Sequence, residues 1–267
     1  MKKYILVTFT AALVLCARAQ STSIFAGGNV SGTNLNQLDY PVSVYLDAQG
    51  NLYECELYNS RIMPFPANSD SQTNGVIVAG GNGSGHNHNP LNLPTGVFVD
   101  ASNNVFVVDE YNNRILKFPA GSNSTTNGII VAAKNLDLPS AVVVTTSGDI
   151  YVADQSHNRI LKFPSNSDST TEGVIIAGGN GVGAGFNQFN VACGLFLDAT
   201  GNMYVCDQYN SRVLKFPANS SSGTNGVVVA GGNGAGSAAN QLYNPTGVFL
   251  DAGGNLYVAD YYNARIQ

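Results

Sequence analysis

The stretch Pro94-Thr95-Gly96-Val97-Phe98-Val99-Asp100 returns almost unchanged as Pro245-Thr246-Gly247-Val248-Phe249-Leu250-Asp251. Weaker copies start at Pro41, Pro139 and Ala192. After each copy comes a short polar stretch and a second apolar run: Leu52-Tyr53, Val105-Phe106-Val107-Val108, Ile150-Tyr151-Val152-Ala153, Met203-Tyr204-Val205 and Leu256-Tyr257-Val258-Ala259. An acidic residue then stands five before an arginine, in the pairs Glu56/Arg61, Asp109/Arg114, Asp154/Arg159, Asp207/Arg212 and Asp260/Arg265. Four copies continue to a Phe-Pro step at Phe65, Phe118, Phe163 and Phe216. A Ser/Asn/Thr-rich loop leads from there to a fourth apolar run such as Gly75-Val76-Ile77-Val78-Ala79. The arginines lie 53, 45, 53 and 53 residues apart, and the short interval lacks the Gly-Gly-Asn-Gly insertion after Ala133.

Short apolar segments joined by Gly-, Asn- and Asp-rich turns read as one four-stranded antiparallel sheet, with strands a to d in chain order. Such a sheet cannot bury both faces alone. Copies packed face to face in a ring can, and a period of about 40 to 50 residues with four strands per repeat indicates a β-propeller. A solenoid fits four strands per repeat poorly. The chain therefore reads as all-β, a single propeller domain over residues 20–267. Its abc strand sets fall near 38–66, 93–119, 138–164, 190–217 and 243–267. Ser23-Ile24-Phe25-Ala26-Gly27-Gly28 matches the d-strand copy Ile77-Val78-Ala79-Gly80-Gly81, and the last copy stops inside strand c. The expectation is five blades, with the N-terminal strand closing the last blade and hiding its open edge. A fragment of a longer, six-bladed protein is the alternative.

The Pro-Thr-Gly-Val-Phe-Val-Asp run, the Val-Val-Asp that precedes Tyr111-Asn112-Asn113-Arg114-Ile115-Leu116-Lys117-Phe118, and the later Val-Ala-Gly-Gly resemble NHL repeats. Five tandem copies carry the resemblance over nearly all of residues 20–267. It implies a β-propeller, usually six-bladed, with mainly interaction roles. Some relatives are metal-dependent lyases, but their central-channel histidines have no repeated counterpart here. Others are fused to ubiquitin-ligase modules, and this sequence has no Cys/His-rich ligase segment.

Charged residues are only 11% of the chain, its formal net charge is −5, and most of its 12 Lys and Arg recur at one repeat position. No basic stripe is left to contact phosphates, so nucleic acid is not an expected partner. Lys2 and Lys3, an apolar run over 4–15 and Ala17-Arg18-Ala19 read as a signal peptide over 1–19. That run is shorter than the roughly 20 residues that span a bilayer. The protein is thus expected to be secreted, with no membrane span. Its remaining cysteines, Cys55, Cys193 and Cys206, are odd in number. Cys55 and Cys206 align with Val108, Ala153 and Ala259, which marks them as core. A hairpin centred near Thr200 would pair Gly194 with Cys206 and turn Cys193 to the other face, so no disulfide is expected.

The recurrent acidic and arginine residues are read as blade-building pairs, because every copy has them. Tyr58, Tyr111, Tyr209 and Tyr262 stand three before their arginines. They would either form an aromatic contact face with the d–a loops or pack each on its neighbouring blade, and repetition alone favours packing. His86 and His88 share one d–a loop, and His157 lies in a b–c turn, which adds them to the candidate face. Zinc would need further ligands that no Cys/His pattern supplies. The Gly80–Gly85 loop lacks the Lys-Ser/Thr of a phosphate cradle. No catalytic residues and no cofactor are assigned; a Ca²⁺ or Zn²⁺ ion in the channel is left open. Asn29, Asn82, Asn123 and Asn219 head N-glycosylation sequons, with Asn123 and Asn219 expected opposite the tyrosines. The leading reading is a secreted, non-enzymatic binding propeller that presents its d–a and b–c loops to an extracellular protein or glycan. The alternative is a propeller enzyme, lyase or hydrolase, with a metal in its channel.

Overall fold

The computed structural model describes residues 8–11 and 23–267. Five sheets stand around one axis. The innermost a strands are β2 (Pro41–Leu46), β6 (Pro94–Val99), β10 (Pro139–Val144), β14 (Ala192–Leu197) and β18 (Pro245–Leu250). The b strands are β3 (Leu52–Glu56), β7 (Val105–Asp109), β11 (Ile150–Asp154), β15 (Met203–Asp207) and β19 (Leu256–Asp260). The c strands are β4 (Arg61–Phe65), β8 (Arg114–Phe118), β12 (Arg159–Phe163), β16 (Arg212–Phe216) and β20 (Arg265–Ile266). The d strands are β5 (Ala79–Gly80), β9 (Ile129–Ala132), β13 (Val174–Gly178) and β17 (Val227–Gly231). Within each blade the strands pair antiparallel in chain order.

The a–b hairpins fold locally for one repeated reason. In the second blade the Asp100 carboxylate accepts bonds from the backbone N–H groups of Ser102 and Asn104, and Asn104 Nδ2 donates to it at 2.8 Å. Asp47, Asp198 and Asp251 do the same in their blades. An aspartate that satisfies the turn's own amides stabilises the reversal before any tertiary contact forms.

The core lies between blades. Four clusters of buried side chains, around Phe118, Phe163, Phe216 and Val258, fill the four interfaces between consecutive blades. Around the axis the a strands come very close. A Cβ on Gly194 would stand 2.6 Å from the Thr246 carbonyl oxygen of the next blade, so only glycine fits there.

Two expectations need correction. Ser23–Gly28 forms no strand, and the last sheet keeps three strands, β18-β19-β20. No described residue pairs with the outer edge of β20, a strand of two residues. Instead β1 (Thr8–Ala11), inside the expected signal segment, pairs in parallel with β2. It lies between β2 and β18. The rest of residues 1–19 lies outside the described residues. The second correction concerns the fourth blade, where a bulge between Cys193 and Leu195 absorbs Gly194 and sets Cys193 opposite Cys206. Both thiols are buried and free, as is Cys55.

Candidate functional site

Each acidic residue of the repeat sits at the end of strand b, and its arginine opens strand c. Arg114 Nε donates to Asp109 Oδ2 at 2.7 Å. Asn112 Nδ2 donates to the same oxygen, and the other oxygen accepts the Asn92 backbone N–H. The free ends of the guanidinium donate to the carbonyls of His86 and Asn87 in the d–a loop that enters the blade. Glu56/Arg61, Asp207/Arg212 and Asp260/Arg265 repeat this clamp. The third blade departs from it. Its d–a loop is short, Arg159 reaches only Asp154 and the Asn135 carbonyl, and His157 Nδ1 takes the asparagine's place on Asp154 at 2.9 Å. The arrangement fixes loops on one end of the propeller and, in Arg61, Arg114, Arg212 and Arg265, engages Nε and both terminal nitrogens with protein oxygens.

The tyrosines do not pack into neighbouring blades. Tyr58, Tyr111, Tyr209 and Tyr262 are 60, 55, 59 and 60% exposed. Their b–c turns abut the ends of the d–a loops, where Leu57 and Tyr111 donate backbone N–H groups to the carbonyls of Tyr40 and Asn92. Tyr40 meets Tyr58 at 5.0 Å between ring centroids, and Tyr243 meets Tyr262 at 4.8 Å, both with tilted rings. Phe186 and Val182, in the d–a loop of the fourth blade, are also exposed. His86 Nδ1 bonds Asn112 Oδ1, beside Tyr111, whereas His157 belongs to the third blade's clamp. Among the described residues no three His, Cys, Asp or Glu side chains gather as a metal site would need.

The four sequon asparagines are exposed. The side-chain amides of Asn29 and Asn82 donate to the carbonyls of Ser71 and Ser124, so these two serve as loop fasteners. Ser124 neighbours Asn123. The c–d loops start beside the a–b turns, where Pro119 and Ser122 share a pocket with Asp47 and Asn103, and from there reach the d–a loops through Ser124.

One feature escaped the sequence reading. At the other end of the propeller, where the a–b hairpins turn, the channel opens into a funnel of about 990 Å³. Tyr45, Phe98, Val143, Phe196 and Phe249, each fifth in its a strand, line its wall. Below them, around Ser43, Gly96, Ala141, Gly194 and Gly247, the channel narrows to about 20 Å³. The signal was present as an aromatic residue at one register of four repeats. It could not be told from an interblade core residue without knowing which way the strands lean.

A family model described as NHL repeat matches residues 91–118, 136–163 and 242–267. No curated protein matches the chain. Among solved structures, a structural genomics protein of unknown function from Bacteroides thetaiotaomicron superposes with a TM-score of 0.66 at 15% identity, over 87% of this chain and 59% of that one. This chain thus spans well under two thirds of that relative's length. A nidogen/laminin complex gives 0.64 at 16% identity, over 86% and 76% of the two chains. A gluconolactonase from Xanthomonas campestris gives 0.60 at 15%, over 85% and 71%. At these identities the likeness concerns the fold.

Proposed function

The chain belongs to the NHL-repeat β-propellers, and on that footing we propose that it is a secreted binding module whose b–c and d–a loops recognise an extracellular protein. One observation carries the reading: four half-exposed tyrosines, one in each of four b–c turns, on loops built largely of Asn, Ser and Gly. Tyrosine offers broad amphipathic contact area at small entropic cost, and Ser, Gly and Asn supply adaptable hydrogen bonds, the composition of antibody binding loops. The arginine clamps hold these loops before any partner arrives, which lowers the ordering cost of binding. The structural likeness to a nidogen/laminin complex agrees with such a role. The enzyme reading leans on the likeness to a gluconolactonase, without three gathered His, Cys, Asp or Glu side chains among the described residues.

The test compares the wild type with a variant in which Tyr58, Tyr111, Tyr209 and Tyr262 are serine. Both are used to capture proteins from extracellular fluid. The variant keeps the wild-type circular dichroism and loses the partner that the wild type retains. Equal capture by the two proteins refutes this face as the binding surface.

A further inference from the structure

The funnel at the a–b end has no part in the tyrosine face, and its chemistry is different. Its wall is aromatic. Phe196 and Phe249 meet edge to face at 5.4 Å between centroids, and Tyr45 leans on Phe98 at 4.9 Å. A second aromatic stands behind each wall residue on strand b, in the register pairs Tyr45/Tyr53, Phe98/Phe106, Val143/Tyr151, Phe196/Tyr204 and Phe249/Tyr257. Lysines on strand c lie over Phe106, Tyr151 and Tyr204 at 5.6, 5.5 and 5.2 Å. These cations lie behind the wall, on its far side from the channel.

The rim carries the opposite charge. Asp47, Asp198 and Asp251 line the mouth, and no Lys, Arg or His is among the described lining residues. None of the three is in an ion pair with a described residue, while Asp149, in the equivalent turn of the third blade, is held by Lys162 at 2.9 Å. Two of the rim charges are firm. Hydrogen bonds from Asn255 hold the Asp251 carboxyl below its ordinary range. Partial burial pushes Asp198 up, but the bonds from Asn202 and Thr200 outweigh it and leave it lowered. On the wall, burial and then the negative charge of Asp47 and Asp100 raise the Tyr45 hydroxyl.

Aromatic faces and unpaired carboxylates attract the same class of ligand. A ring's quadrupole is negative over its face, and a desolvated organic cation held there is attracted to it. A neutral sugar would gain the stacking but not the charge term. We propose that the funnel is a binding site for a small organic cation, an aryl- or alkylammonium group seated against Tyr45, Phe98, Phe196 and Phe249 under the aspartate rim. The narrow waist makes the pocket blind, so the ligand enters and leaves by the a–b mouth.

The test is calorimetric titration of the protein purified from a secreting host with phenyltrimethylammonium, benzyl alcohol, benzoate and cellobiose. The cation binds at least tenfold more tightly than the neutral alcohol, benzoate does not bind, and the affinity falls with added salt. D198N/D251N removes two charges and keeps in each turn the one acceptor oxygen that holds the backbone N–H groups, at the cost of the bond from Asn202 or Asn255. It stays folded and weakens the cation at least tenfold. If that variant fails to fold, Phe196→Leu serves as the second arm, with the same loss expected. Equal affinity for cation and alcohol, tighter binding of cellobiose, or a cation affinity unmoved by both variants overturns the proposal. Each of these leaves the tyrosine face untouched.

Discussion

At the scale of single residues, Glu54 breaks the pattern most sharply. Val107, Val152, Val205 and Val258 hold its position in the other blades, each in an interblade cluster. Glu54 is 2% exposed, and neither carboxyl oxygen has a hydrogen-bond partner. Burial, and next the charge of Glu56, push its pKa well above the ordinary value, against a smaller opposing pull from Arg61. An acid with a raised native pKa binds its proton more tightly folded than unfolded. The folded state is then favoured fully at pH below the ordinary carboxylate range, and that advantage is lost as pH climbs above it. Glu54→Val is therefore expected to stabilise by about 1–3 kcal/mol at neutral pH, the cost of an unsatisfied buried polar group. The gap in Tm should widen from pH 5 to pH 8. A gap that does not change with pH would mean that Glu54 is solvated or paired in solution.

At the scale of the element, the clamp explains why the repeat needs its acid and arginine, and why the third blade tolerates a weaker version. Asp109→Ala leaves the Arg114 guanidinium buried without its counter-charge, a loss of about 3–5 kcal/mol. Arg159 makes fewer bonds, its side chain is 18% exposed against 7% for Arg114, and His157 still holds Asp154 when it is gone. Arg159→Ala should thus cost less than Arg114→Ala by at least about 1 kcal/mol, read as a difference in denaturant midpoint. Equal losses would show that the loop contacts add nothing to the pair. Strands a, b and c were legible because turn aspartates, alternating apolar residues and the arginine mark their ends, and they begin at the residues the repeat predicts. The d strand of the first blade was less so: only Ala79 and Gly80 are in regular strand register, although the Val76 and Val78 N–H groups donate to the Pro64 and Ile62 carbonyls of β4. Its hydrogen bonding depends on the edge of β4, which no local pattern reports. The tyrosines were read in register but as packed, because repetition alone cannot separate a residue every blade needs from one every blade displays.

For the whole molecule, the ring has one weak point. Four interfaces own a hydrophobic cluster. At the seam between the fifth and first blades, Glu54 replaces the valine and the last sheet lacks a described d strand. Opening should start there, since local stability follows apolar contact and paired edges. Hydrogen exchange should be at least tenfold faster in β2, β19 and β20 than in β7, β11 and β15; uniform protection would mean a seam as firm as the other interfaces. The tyrosine end of this ring is the surface proposed to meet a partner. Acetylation of tyrosines, mapped by mass spectrometry on the free protein and on the captured complex, tests this. Tyr58, Tyr111, Tyr209 and Tyr262 are expected to be modified in the free protein and protected in the complex. Unchanged modification of all four, with protection confined to the a–b hairpins, would contradict it.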